Sequence, residues 1–355
     1  MLALSTSYVL SPRSAQWGAV LDSLPHDVYH SAEYSTLSGF GQEGEAMAFV
    51  YQEDGSSFLW PYLLKPIEGA PGFYDAGSVY GYPGPAGTAE PEFLARAWEA
   101  LLEQWRSQGV VSAFTRFHPM LNNHELLTTI PAARGGLREC GNTVSIDLTL
   151  PLEAQAQQIH RNMRADIRKG REAGLITSLD ADWKHIAEFV AAYQDTMARC
   201  GSRPEYVVDE QWVSQFRETI GANAHLFVTK QGEAVAAAMI VITYGPFVHC
   251  HLIGTAPEFA ALSPSKVMFD DVRQWGSRNG YATMHLGGGL GGREDALFQF
   301  KRKFSPRTHM FRTGSWILDE AKYRSLDEEN RTRLAEAGIE AGEISYFPAY
   351  RYRPA

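Results

Sequence analysis

The order strand, strand, strand, helix, strand occurs twice along this chain, and no other feature restricts its fold as much. In the second half AHLFVTK and EAVAAAMIVI are strand-like runs joined at Gln231-Gly232, a hairpin signal, and PFVHCHLIGT supplies a third. A helix is expected next, with Ser263 as its cap, Pro264 in its first turn, and Val267, Met268, Val272 and Trp275 on one face. Gly280 closes it before the strand YATMHL. In the first half MAFVYQ and SSFLWPYLLKPI flank Glu53-Asp54-Gly55, and GSVYGY comes third. A helix from Pro91 to Gln108 then ends at Gly109 before VVSAFTRF. Helical sequence precedes each set: Trp17 to Leu37 in the first, Asp182 to Cys200 and Asp209 to Ile220 in the second. Mixed sheets with helices packed on them follow, so the fold class is α/β or α+β with two related domains. The division is expected near PAARGGLRECGN and TVSIDLTL, giving domains 1–145 and 146–355.

Composition supports this size of core and limits the partners. The 355 residues are 45% hydrophobic and 21% charged, enough to bury two cores. A formal charge of -9 argues against a surface built for non-specific binding of double-stranded DNA, so any polyanion must meet a local basic patch. Cys140, Cys200 and Cys250 are odd in number and widely spaced, which fits a reducing compartment and neither a disulfide frame nor a zinc site. The start MLALSTSYVLSPRS lacks the basic and apolar regions of a signal peptide, and no window holds the ~18 apolar residues of a membrane span. A cytoplasmic location is expected.

Local charge is concentrated in QQIHRNMRADIRKGREAG, Gln157 to Gly174. At about 100° per residue, Ile159, Met163 and Ile167 share one helix face, while Arg161, Arg164, Arg168 and Arg171 share roughly a quarter-turn on the other side. A solvated amphipathic helix is the plain reading. Only Glu172, four residues after Arg168, can pair along the stripe, and guanidinium groups suit phosphate oxygens.

The second concentration is HLGGGLGGREDALFQFKRKF, His285 to Phe304, where five glycines precede Lys301, Arg302 and Lys303. Gly287, Gly289 and Gly292 satisfy G-x-G-x-x-G, but a dinucleotide fold places that pattern at its first strand, and only about sixty residues follow here. Arg293 stands where a phosphate-binding loop of the G-x-x-x-x-G-K-[ST] kind requires Lys. The glycines read better as a tight turn that carries the following cations into a cleft. His249 and His251 point the same way on a strand, suited to metal or proton relay but without a third ligand nearby in sequence.

Several of these stretches resemble one family. VSIDLTLPLEAQAQQIHRNMRADIRKGREAG resembles the Fem-type segment in which a strand with Ile-Asp-Leu leads to a helix bearing R-x-x-I-[RK]-K. YGYPGP near Tyr80, RFHP near His118 and the block ending LFQFKRKF resemble it too, and the likeness covers most of the chain. The resemblance implies two tandem GNAT-like domains, each a mixed, mostly antiparallel sheet flanked by helices. It also implies an aminoacyltransferase that passes an amino acid from aminoacyl-tRNA to an amine, on a peptidoglycan-precursor peptide or a small biosynthetic amine. Two departures stand out: no long coiled-coil arm is present, and His285 replaces the acidic residue common before the Gly-Gly pair.

An aminoacyl ester is already activated, so such an enzyme has to align a neutral amine and stabilise the developing oxyanion, with no cofactor and no covalent nucleophile. The resemblance makes Lys301, first Lys of F-K-x-x-F, the residue expected to polarise the carbonyl. Asp295, or its neighbour Glu294, is a candidate for taking the amine proton. Arg161, Arg164, Arg168, Arg302, Lys303, His285 and Tyr80 are the expected substrate-binding residues, the arginines meeting phosphate of tRNA or of a nucleotide-linked acceptor. No metal is expected. Two other readings stay open. An acyl-CoA-dependent GNAT enzyme would hold pyrophosphate on a glycine-rich turn, whereas APEFAALSPSK here has no glycine. A non-catalytic carbohydrate- or peptide-binding module would share the same scaffold.

Overall fold

The computed structural model describes residues 5–37, 43–201, 207–339, 342 and 344–354. In chain order the elements begin with β1 (Ser5–Leu10), α1 (Ala15–Leu21), α2 (Ala32–Ser35), β2 (Glu45–Glu53), β3 (Ser56–Pro66), β4 (Tyr74–Gly77) and β5 (Ala86–Gly87). There follow α3 (Pro91–Ser107), β6 (Val110–Arg116), α4 (Glu125–Thr128), α5 (Pro131–Arg134), β7 (Leu137–Asp147), α6 (Leu152–Gln158), α7 (Arg161–Glu172) and β8 (Leu175–Leu179). The rest are α8 (Ile186–Arg199), α9 (Glu210–Ile220), β9 (Ala224–Gln231), β10 (Ala234–Tyr244), β11 (Phe247–Thr255), α10 (Pro264–Arg278), β12 (Thr283–Gly287), α11 (Ala296–Arg302), β13 (Thr308–Ile317) and α12 (Glu320–Glu336).

Two compact units result. Of the described residues, 5–36, 43–139 and those from Arg312 onward form the first; Leu37 and the residues from Cys140 to Phe311 form the second. This differs from consecutive domains 1–145 and 146–355, because the C-terminal stretch returns to the first unit. Tyr350 and Arg351 both bind the buried Asp75 carboxylate of β4, and Trp316 of β13 enters the first core.

In the first unit β1, β2, β3 and β4 run in antiparallel succession, β4 lies parallel to β6, and β6 pairs antiparallel with β13. The β2–β3 hairpin turns through Asp54 and Gly55, both at positive φ as a tight two-residue turn requires. Amphipathic α3 buries Phe93, Leu94, Ala97, Trp98, Leu101 and Trp105 against Phe49, Trp60, Ala113 and Trp316. The third strand of this half is Tyr74–Gly77, earlier than GSVYGY, and the YGYPGP segment after it is held in a turn that returns to β3 at Ala86 and Gly87. Asn123 does the holding: its amide donates to the carbonyls of Pro83 (2.6 Å) and Pro85 (2.8 Å) while accepting from the His118 N–H (2.8 Å). His118 Nδ1 accepts from the Leu121 N–H, which leaves the proton on Nε2 to donate to the fully buried Asp27 carboxylate at 2.6 Å. The two motifs that carried the resemblance in this half therefore lock one another in place.

The second unit orders its strands β7-β12-β11-β10-β9-β8, with β11–β12 its parallel pair. Val248, Met284 and Leu286 on one sheet face pack with Met163 and Ile167 of α7, Met268 and Val272 of α10, and Phe298 and Phe304 around α11. Two details of the sequence reading change. The helix expected from Gln157 onward breaks at Ile159 and His160, because the His160 N–H bonds the Lys303 carbonyl (2.8 Å) and its ring caps Asn162. Ser263 occupies the cap position of α10, but in a left-handed conformation forced by the preceding 3-10 turn, Pro257–Leu262, and its side chain makes no capping bond.

Candidate functional site

The parallel ladder between β11 and β12 ends at His249 and His285, although β11 continues to Thr255. Beyond that point β12 changes register against β7, so the two strands part. Lys301, on the last turn of α11, reaches this parting: its ammonium group donates to the Gly288 carbonyl at 2.7 Å. Cys250, the residue after His249 on β11, lies close enough to feel its charge. Burial pushes the Lys301 ammonium down to about 8, with Cys250 and Asp295 opposing the shift, and pushes the Cys250 thiol up to about 12. The site thus offers an ammonium donor with two hydrogens beyond the one given to Gly288, in a poorly hydrated gap where a carbonyl oxygen would be strongly polarised. Cys250, a thiol at any ordinary pH, is no nucleophile.

The glycine turn exists to shape this arrangement. A Cβ at Gly289 would stand 2.0 Å from the Arg293 carbonyl oxygen and 2.3 Å from an Asp295 carboxylate oxygen, so only glycine lets the turn wrap that side chain. Asp295 is the N-cap of α11. One oxygen accepts from the Phe298 N–H (3.0 Å) and the other from the Leu290 N–H (2.9 Å). Burial raises its carboxyl, but the backbone hydrogen bonds from Phe298, Leu290 and Leu297 together hold it below its ordinary value. Each carboxylate oxygen thus accepts a backbone hydrogen bond and the group is a weakened base, and its cap position holds the helix that carries Lys301. Glu294 is exposed and accepts from Asn142 at 2.8 Å.

The arginine stripe is divided by the fold. Arg161, Arg164 and Arg168 are exposed. Arg168 has a loose contact with Glu172 at 3.7 Å, and Arg164 bonds only distantly, at 3.4 and 3.5 Å, to the carbonyls of Ala156 and Gln157. Arg171 instead bridges Asp270 (2.7 Å) and Asp271 (2.6 Å) of α10, and Asp166 pairs with Lys266 at 2.7 Å, ties that fasten α7 to α10. Because α7 begins against the Lys303 carbonyl, Arg161 and Arg164 share a basic surface with exposed Lys303 and with Arg302, which donates to the Ser305 carbonyl at 2.9 Å. Arg302 and Lys303 of this surface follow Lys301 directly in the chain.

His285, one of the expected substrate-binding residues, lies in the interior. It is buried, edge-on to His249 at 5.6 Å between ring centroids, on the sheet face opposite Met284 and Leu286. His251 stacks on Phe216 at 5.4 Å and is held neutral, down to about 3, by burial and by His249. Tyr80 is half-buried and belongs to the first unit. A separate shallow cleft of ≈ 510 Å³ lies between β8 and α10, floored by Phe227 and Trp275, and none of the expected site residues line it. Sequence reasoning missed the Gly288 carbonyl and Cys250 as neighbours of Lys301; the parallel pairing that unites them joins segments more than thirty residues apart and leaves no local signal.

Residues 157–302 match a family model described as an acetyltransferase (GNAT) domain. No curated protein matches the chain. Among solved structures it is similar to FemX, with a TM-score of 0.67 at 12% identity over 90% of this chain and 99% of that one. It is similar to L-PGS from Bacillus licheniformis, with a TM-score of 0.55 at 14% identity over 87% of this chain and 93% of that one. It is also similar to a tandem GNAT protein from the clavulanic acid biosynthesis pathway, with a TM-score of 0.52 at 11% identity over 89% of this chain and 99% of that one. At these identities the shared property is the fold, and the Fem-type resemblance and the tandem GNAT-like class hold at that level. No helix of the described residues is long and apolar enough to cross a membrane.

Proposed function

We propose that this chain, which shares the fold of FemX and carries a segment matching a GNAT acetyltransferase domain model, passes an amino acid from aminoacyl-tRNA to the amine of an acceptor, forming an amide. Lys301 carries this reading: it is held by Gly288 where β11 and β12 part, at the end of a basic surface formed by Arg161, Arg164, Arg302 and Lys303. The arginines hold the phosphates of the RNA end, the ester enters the gap, and the Lys301 ammonium stabilises the oxyanion as the amine attacks. The tetrahedral intermediate then expels the ribose hydroxyl, and the amine's proton leaves to that oxygen or to solvent. No bound cofactor is needed, because the donor ester already carries the activation. The likeness to FemX and to L-PGS supports this reading at the level of the fold. The turn before α10 does so too: it holds Phe259, Leu262 and Pro264 and no glycine where a CoA pyrophosphate would need open backbone N–H groups.

Purified protein offered a mixed pool of charged tRNAs, or separately acetyl-CoA, with peptidoglycan-precursor peptides and small amines tests the reading. Consumption of charged tRNA is expected. Consumption of acetyl-CoA instead, or a clear thermal shift with it at sub-millimolar concentration, overturns it.

A further inference from the structure

Strand β8 ends its sheet: β9 pairs with one of its edges, and among the described residues no strand lies on the other. The Asp180 N–H donates to the Leu226 carbonyl at 2.8 Å, so in this antiparallel register Ser178 and Ile176 also turn their backbone groups toward β9. The N–H and C=O of Thr177 and Leu179 therefore point outward. Strand edges are commonly protected by charge or proline, and Leu-Ile-Thr-Ser-Leu has neither; Ile176 is 70% exposed and Leu179 41%. The shallow cleft between β8 and α10 runs along this edge. Ile176 and Ser178 point to one face of the sheet and Leu175, Thr177 and Leu179 to the other, yet both sets line it. On its α10 side stands half-buried Trp275, edge-on to Phe227 at 5.1 Å between ring centroids.

The charges beside the cleft select what could lie in it. Arg171 bridges Asp270 and Asp271, and Arg273 binds Asp270, so these two cations and two anions cancel. Arg278, the last residue of α10 and part of the cleft wall, is exposed, and its guanidinium donates to the neutral Gln274 side chain at 3.0 Å. Among the described residues no carboxylate pairs with it, which leaves most of its five donors for an anion in the cleft. An unpaired strand edge, an aromatic wall and one uncompensated guanidinium thus lie along a single groove.

We propose that this edge binds an extended acidic peptide segment of a partner protein, added to β8 as a further strand, with an apolar side chain against Trp275 and a carboxylate on Arg278. A second copy of the chain suits the edge less, because its own β8 carries no carboxylate to offer Arg278. The surface is separate from Lys301 and does not depend on the identity of the acyl donor. Fluorescence anisotropy tests it with the full chain and a labelled peptide that alternates valine and glutamate around a central phenylalanine, beside its counterpart with glutamine for glutamate. Saturable binding of the acidic peptide is expected, weakened about tenfold by Arg278→Gln, since one charge-assisted hydrogen bond is worth that much. The same variant should leave the glutamine peptide's weaker binding unchanged. No saturable binding of the acidic peptide, or an equal loss for both peptides in Arg278→Gln, overturns the proposal. A readout on the unmutated protein addresses the backbone directly. The acidic peptide should slow amide hydrogen exchange at Thr177 and Leu179, whose N–H groups point outward, and unchanged exchange there also overturns it. A dimer that protects the same two amides in the absence of peptide would make a second copy the occupant and overturn it as well.

Discussion

The ammonium of Lys301 is bonded to the carbonyl of Gly288, thirteen residues earlier in the chain. The glycine turn and the cationic segment are therefore one device: the turn presents an acceptor that aims the lysine into the gap between β11 and β12.

Lys301→Met should depress turnover far more than substrate binding, by on the order of 10²–10³-fold, the scale of losing one oxyanion donor. Lys303→Met removes the same charge from an exposed position and should act mainly on KM. Steady-state kinetics on the two variants decides; equal losses carried by binding alone would reduce the segment to a docking surface.

The pH profile follows from the same side chain. With its ammonium held down to about 8, activity should fall as pH rises through that value, and Lys301→Arg should abolish this descending limb because guanidinium stays charged. The stability effect has the opposite sense. The unfolded chain keeps an ordinary lysine near 10.4, binds more protons between about 8 and that value, and so loses ground as pH rises. Lys301's share of stability grows across that window, and Met at 301 should flatten it in thermal melts taken from pH 7 to 10.

Replacing Arg164 and Arg168 together by Gln should raise KM for charged tRNA and flatten its salt dependence, with stability changed by less than about 0.5 kcal/mol. Arg171→Ala should do the reverse, costing about 1 kcal/mol of stability through the lost bridge to Asp270 and Asp271 with little effect on the salt slope. Melts and salt-dependent kinetics on both variants test this division, and a matching salt effect at Arg171 would refute it.

Asp295→Ala should cost roughly 1 kcal/mol as a lost helix cap and also lower turnover, because α11 carries Lys301. Its folded carboxyl sits below the ordinary value, so the stability it contributes is present above about pH 4 and lost as pH falls further. Asp295→Asn should rescue much of the turnover, since Asn also caps well. No rescue by Asn would return Asp295 to proton transfer.

Much of this was legible before any coordinates. The hairpins at Asp54-Gly55 and Gln231-Gly232, the helix from Pro91 and the buried face of Ile159, Met163 and Ile167 follow from turn chemistry and periodicity. What escaped depends on partners distant in sequence. Nothing near Arg171 announces Asp270 and Asp271, and nothing near YGYPGP announces Asn123, yet those bonds decide which arginine is spent and where a strand ends. Likewise, the cap role of Asp295 left no signal in the sequence because its partners are backbone N–H groups, which every residue carries.

The return of the C-terminal stretch to Asp75 also sets an order of assembly. As the polypeptide is synthesised, the second unit has all its main strands once Phe311 has emerged, whereas the first, though begun earlier, waits for Trp316 to fill its core and for Tyr350 and Arg351 to neutralise a buried carboxylate. The half that starts first finishes last, so nascent chains stalled between those points should hold a formed second unit beside an unfinished first one, and a premature stop near residue 345 should injure the end of the protein farthest from it in sequence.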